Sequence, residues 1–174
     1  QPDSPAIHYN LAVAFTDHGV PERATPHFEA ALAANPDAPN IHFDYGRALT
    51  ALGKSDDAVA QFERAIALDP HYAEARNSLG HMLFQRGQVE DARTQFNTVL
   101  AEDPRNAGAH FNLGYLLEHE GRFAESIAHF RAALQSEPRD ADTHFNLGLV
   151  LARSGENENA VKEYETALEL APNM

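Results

Sequence analysis

Glycine and proline recur along this chain at a fixed interval. Gly19, Gly53, Gly87, Gly121 and Gly155 are each 34 residues apart, and so are Pro36, Pro70, Pro104, Pro138 and Pro172. A period of that size marks stacked supersecondary repeats, none of which buries an apolar face by itself. Taking the repeats to begin at Pro5, Pro39, Ala73, Ala107 and Ala141 divides the chain into 5–38, 39–72, 73–106, 107–140 and 141–174, with an N-terminal extension at 1–4.

Inside each repeat the apolar spacing is helical. His110, Leu113, Gly114 and Leu117 precede Gly121, and Ser126, Phe130, Ala133 and Leu134 follow it before Pro138. Side chains three and four apart, broken by one glycine, predict two amphipathic helices joined by a tight turn. The glycine suits the left-handed residue that ends the first helix. Glu22, Asp56, Glu90 and Glu158 then fall in the first turn of the second helix, where its dipole favours them. Asp69-Pro70, Asp103-Pro104 and Glu137-Pro138 stop that helix. Pro26 sits where the second helix of the first repeat should already be under way, and predicts a kink or a delayed start there.

Close approach is written into two further positions. Ala12, Gly46, Gly80, Gly114 and Gly148 hold the eighth, and Ala24, Ala58, Ala92, Ser126 and Ala160 the twentieth. Phe28, Phe62, Phe96, Phe130 and Tyr164, at the twenty-fourth, are large enough to fill the space between neighbours.

Together these positions resemble the tetratricopeptide (TPR) repeat over residues 5–174. Leu-Gly stands in the last three repeats, Tyr45-Gly46 in the second and Leu11-Ala12 in the first. The sequence departs at the fourth position, usually Trp or Tyr, where it has His8, His42, Arg76, His110 and His144, and at the eleventh, usually Tyr. The resemblance implies an all-α fold, a right-handed α-solenoid of five helix-turn-helix units.

It also implies a concave groove lined by the first helix of each repeat. Carried onto this chain, that lining holds Tyr9, Phe43, Phe111 and Phe145 at the fifth position. Arg47, His81 and Tyr115 hold the ninth, and Phe84 stands at the twelfth. Rings in such number mark an interaction surface, although some can pack against the next repeat instead. Asn10, Asn112 and Asn146 at the sixth position resemble the asparagine ladder with which the TPR region of O-linked N-acetylglucosamine transferase holds extended peptides. An amide both donates and accepts, as a peptide backbone requires. The Lys and Asn with which chaperone-tail clamps bind carboxylates are replaced by Tyr9 and Val13, which argues against that activity.

Thirteen basic residues against twenty-six acidic give a net charge of -13. That balance argues against nucleic acid and membrane surfaces as partners, and no apolar run is long enough for membrane insertion. The absence of cysteine removes thiolate metal sites and thiol catalysis. The histidines of the fourth position lie one to a repeat, roughly 8–10 Å apart as helices pack, too far to share one metal ion. No phosphate loop or nucleophile elbow is present. No catalytic residue, metal or cofactor is therefore assigned, and the chain is read as non-enzymatic.

The ends carry two further expectations. A start at Gln1 fits a processed N-terminus, secreted or periplasmic; otherwise a cytoplasmic location is expected. No capping helix is evident, and solenoids need polar outer faces. Ile7 and Leu11 at one end, with Val161, Tyr164 and Leu168 at the other, form a candidate self-association face that could build a homopolymer. The sequence thus points to a scaffold that binds a protein or peptide partner, or a partner helix, in an aromatic groove. The alternative is a structural protein stacking head-to-tail into a filament or tube.

Overall fold

The computed structural model describes residues 4–172, so the start at Gln1 and the last two residues lie outside it. Ten helices account for most of these residues: α1 (Pro5–Asp17), α2 (Pro21–Ala34), α3 (Pro39–Ala51), α4 (Ser55–Leu68) and α5 (Ala73–Gln85), followed by α6 (Val89–Glu102), α7 (Ala107–His119), α8 (Phe123–Ser136), α9 (Ala141–Arg153) and α10 (Asn157–Leu170). No strand is present among the described residues.

The turns explain the glycine period. Gly19, Gly53, Gly87, Gly121 and Gly155 all have positive φ, between 70° and 90°, a conformation that any Cβ would strain. Each follows the end of an odd-numbered helix and lets the next helix fold back beside it. Carboxylates begin the second helices, with Glu22, Asp56, Glu90, Glu125 and Glu158 in their first turns. Side-chain caps occur on two first helices, where Asn106 accepts from the Ala109 N–H and Asp140 from the Thr143 N–H.

Of the two outcomes expected at Pro26, the structure rules out the delayed start. α2 begins at Pro21 and runs without interruption through Pro26 to Ala34, so the delayed start is not found. Pro21 occupies the first helical position, which a proline suits. Pro26 faces solvent, and the residue whose carbonyl loses a donor, Glu22, is exposed as well, so water can satisfy it.

The chain divides into two compact units, Gln1–Met82 and Leu83–Met174, with the division inside α5. In the first, Ala12, Ala24, Phe28, Ala31 and Ile41 form a buried cluster joined by Tyr9, Val13 and Tyr45. In the second, Ala92, Phe96, Leu113 and Leu116 form one cluster, and Ile127, Phe130, Leu147, Val150 and Leu151 another. Close approach within a hairpin comes from ring against glycine. A Cβ on Gly46 would lie 2.6 Å from the Phe62 ring, one on Gly114 3.0 Å from Phe130, and one on Gly148 2.8 Å from Tyr164. The rings therefore pack first against their own hairpin. Phe28 also stacks on Tyr45 of the following one, at 5.3 Å between centroids.

Candidate functional site

The sequence places its candidate residues on the first helix of each hairpin, and the structure gives them unequal surroundings. In the first unit Tyr9 of α1 is half-buried, and its hydroxyl donates to Asp44 Oδ2 of α3 at 2.6 Å. Burial, reinforced by that carboxylate, pushes the Tyr9 hydroxyl above its ordinary range. Arg47, one turn beyond Asp44, spans Asp44 at 3.2 Å and Asp17 at 3.3 Å. Phe43 is half-buried between Phe62 at 6.0 Å and Tyr72 at 5.1 Å. Burial, with the charges of Asp44 and Glu74 nearby, pushes Tyr72 up to about 12. Asn10 is exposed on α1 and His81 on α5.

In the second unit Phe84 meets Tyr115 at 5.7 Å and His119 at 5.2 Å, both edge-on, and Tyr115 lies 4.4 Å from His119. Phe111 sets its edge against Phe130 at 5.6 Å and remains half-buried. Phe145 is the open ring of the set, 44% exposed and 5.8 Å from Tyr164. Asn112 is half-buried beside Phe111 in a pocket of about 250 Å³ that Asp140, Asp142 and Thr143 complete. Asn146 instead spends its amide on the Asp142 carbonyl of its own helix, at 2.8 Å. The ladder is thus chemically uneven, with Asn10 and Asn112 presented and Asn146 partly committed.

Three features escape the sequence reading. Asp44 joins α1 to α3 through Tyr9 and Arg47, yet a lone aspartate on a helix carries no such signal. Glu118 is a buried carboxylate held by Arg153, with His119 3.5 Å away. Its partner stands thirty-five residues on, one period plus one, so the pairing is hidden unless adjacent repeats are aligned. The third is a set of contacts nineteen residues apart: His8 with His27, His42 with Gln61, His110 with His129 and His144 with Glu163. Here the signal was available, since polar side chains recur at the twenty-third position of all five repeats.

Charge separates by helix. The five first helices hold five carboxylates and three arginines, whereas the five second helices hold thirteen carboxylates and five cations. Most of the helical acidity therefore lies on the second helices, although Glu137, Asp140 and Asp142 line the pocket of Phe111 and Asn112. Among the described residues no cluster of three or more His, Asp or Glu could hold a metal ion, and no helix is long and apolar enough to cross a membrane.

Of the candidate self-association face, Ile7 (48%), Leu11 (40%), Val161 (53%) and Leu168 (58%) are exposed. Tyr164 is half-buried, and with Phe145, Ala167 and Leu168 it lines a pocket of about 540 Å³.

Consecutive helix hairpins closed by left-handed glycines, three of them with a ring resting on a glycine, define an all-α helical-repeat protein. A family model for the tetratricopeptide repeat matches the chain in five overlapping stretches, residues 1–39, 9–73, 46–97, 79–141 and 120–174. The chain belongs to the tetratricopeptide repeat family. Comparison with curated protein sequences returns no match. Among solved structures it is similar to MamA from Desulfovibrio magneticus, with 22% identity, a TM-score of 0.76, and coverage of 98% of this chain and 96% of that one. A thermophilic TPR protein of Thermus thermophilus superposes with a TM-score of 0.85 at 23% identity, covering 98% and 93%. YrrB, described as a TPR protein with an unusual peptide-binding site, gives 0.66 at 21%, covering 99% and 89%. At these identities the likeness is one of fold.

Proposed function

We propose that this chain is a non-catalytic interaction module that binds an extended peptide or partner helix on first-helix faces within its compact units. The observation that carries the reading is the pairing of rings with uncommitted amides on helices from which most charge has been removed. Asn112 lies beside Phe111 in its pocket, and Phe145 is open to solvent. A peptide backbone needs a donor and an acceptor at regular intervals, and apolar side chains need desolvated rings. YrrB's description supports peptide recognition on this fold only by analogy.

Peptides selected on the whole protein from a random display library provide the test. Asn112→Ala and Phe145→Ala truncate side chains that the interior does not require. Each is expected to weaken the selected peptides about tenfold or more, since anchors commonly contribute about 1–2 kcal/mol. Helicity should be unchanged. Selected peptides that bind both variants as tightly as the parent would overturn the reading.

A second reading is favoured by the apolar side chains at α1 and α10. Ile127, Phe130 and Leu134 of α8 are packed against α9, and Val161, Tyr164 and Leu168 repeat those positions on α10. Ile7 and Leu11 of α1 in turn repeat the positions of Thr143 and Leu147, both buried on α9. A second copy placing α1 on α10 would reproduce the α8–α9 packing and extend the array head-to-tail.

A further inference from the structure

His42, His110 and His144 each donate Nε2–H to the carbonyl of the proline six residues earlier, Pro36, Pro104 and Pro138, at 2.9, 3.1 and 3.2 Å. With that proton fixed, Nδ1 of a neutral His110 ring is left as an acceptor, whereas His144 Nδ1 faces the Glu163 carboxylate and must donate to it. In each case Nδ1 points at the second helix of the same hairpin. The residue met there by His110 is His129, with the two Nδ1 atoms 3.0 Å apart, and His8 meets His27 in the same way at 2.8 Å. Ring centroids are 5.2 and 5.0 Å apart, close to the nitrogen gap plus two ring radii, which is the largest separation that contact allows. The nitrogens therefore meet head-on, along one N–H···N line. A metal ion would need both lone pairs to converge on a third point. A shared proton needs only this line.

We propose that His110–His129, and His8–His27 in the first compact unit, are acid-release latches. Each ties the two helices of its hairpin through one shared proton, and uptake of protons by both rings opens it. A head-on bond takes one donor and one acceptor. In the neutral pair His129 Nδ1–H donates to His110 Nδ1. A first proton can settle on the outer nitrogen of His129 and leave that bond standing. The next must occupy the shared nitrogen of His110, which sets two N–H groups and two like charges face to face. The pair then titrates in two coupled steps rather than as two ordinary imidazoles.

The surroundings agree. Burial, and then the charge of His110, hold His129 below the usual imidazole range. Glu125, one turn before His129, works in the other direction but is held by Arg122 at 2.6 Å. From α6, Arg93 is engaged by Glu90 and Glu120. From α9 come Asp142, His144, which pairs with Glu163, and Arg153, which pairs with Glu118. Around His8–His27, Arg23 lies over the Phe15 ring that stacks on His27, and α3 brings Asp44 and Arg47, which pair with each other. None of these groups supplies a second acceptor between the two rings.

Because the folded value of His129 is depressed, its stabilisation is complete above the unfolded imidazole value of about 6.5 and is lost as pH falls through the lower, folded one. Phe111 and Asn112 follow His110 directly on α7, so opening loosens the helix that bears them.

The chain carries its own control. Gln61 meets His42 Nδ1 at 2.7 Å with an amide that cannot titrate and that carries both an oxygen acceptor and, turned over, an N–H donor. His27→Gln and His129→Gln should therefore keep the bond and remove the acid response. The experiment follows thermal unfolding of the whole protein, parent and double variant, from about pH 8 to about pH 5, where histidine alone changes charge. Imidazole titrations are read alongside by NMR. The double variant is expected to match the parent at the upper end and to lose less melting temperature at the lower. In the parent, His129 should titrate below about 6.5. Parallel melting curves for parent and double variant would overturn the proposal. So would a His129 that titrates at an ordinary imidazole value in the native chain, a result that does not depend on the variants folding.

Discussion

Gly46 and Gly114 occupy the same position of the period, yet the space above them differs. A Cβ on Gly46 would sit 2.6 Å from Phe62 Cε1, and on Gly114 3.0 Å from Phe130. Both rings are buried, so neither can swing into solvent. Alanine is the better helix former by about 1 kcal/mol, but overpacking a filled core costs about 1–3 kcal/mol. At the tighter contact the cost falls in the upper part of that range, so Gly46→Ala should lower stability by about 1–2 kcal/mol, and Gly114→Ala by less. Denaturant midpoints of the two variants check the order. A neutral or stabilising Gly46→Ala would show that the Phe62 ring has room to retreat. At this scale the sequence was legible where sterics allow one answer, as at the positive-φ glycines. It was mute where a partner decides, as for Asp44, whose meaning comes only from Tyr9 and Arg47.

The helices form from a periodic pattern strong enough to override a local breaker, and α2 shows how far that goes. Pro26 forfeits the bond that its N–H would make to the Glu22 carbonyl, yet α2 buries Pro21, Ala24, Phe28 and Ala31 and runs on to Ala34. Packing of that face outweighs a defect that solvent can patch. A prolyl ring inside a helix costs about 3 kcal/mol, offset by its stiffening of the unfolded chain by up to about 1 kcal/mol. Pro26→Ala, which installs the residue that Ala60 already provides in α4, should accordingly stabilise the protein by about 2 kcal/mol. Hydrogen exchange would show the gain as slower opening of α2. An unchanged rate would mean that the helix has already absorbed the loss by local distortion. Existence and order of the helices could be read from glycine, proline and apolar spacing. The behaviour at Pro26 could not, because it depends on which side of α2 faces water.

For the molecule as a whole, the deciding quantity is how exposed apolar surface weighs against charge. Val161 and Leu168 are more than half exposed, although Ile127 at the position matching Val161 is only 6% exposed. Covering such side chains recovers roughly 25 cal/mol per Å² of apolar area. Against this stands a net charge of -13 on every copy. Repulsion between copies extends over about 10 Å at 0.1 M salt and about 3 Å at 1 M, whereas apolar burial is not weakened by screening. Head-to-tail association should therefore strengthen as salt is added, the reverse of an interface built on ion pairs. α10 adds to the repulsion with Glu158, Glu163, Glu165 and Glu169 against Lys162 alone. Leu168→Lys, at a side chain already 58% exposed, should leave the fold intact and abolish the joint, because a cation would then have to be buried in an apolar contact. Sedimentation of parent and variant at low and high salt decides the matter. A parent that remains monomeric at every salt concentration removes the second reading and leaves peptide binding alone. Association that weakens with salt would place the contact among the carboxylates rather than at these apolar side chains.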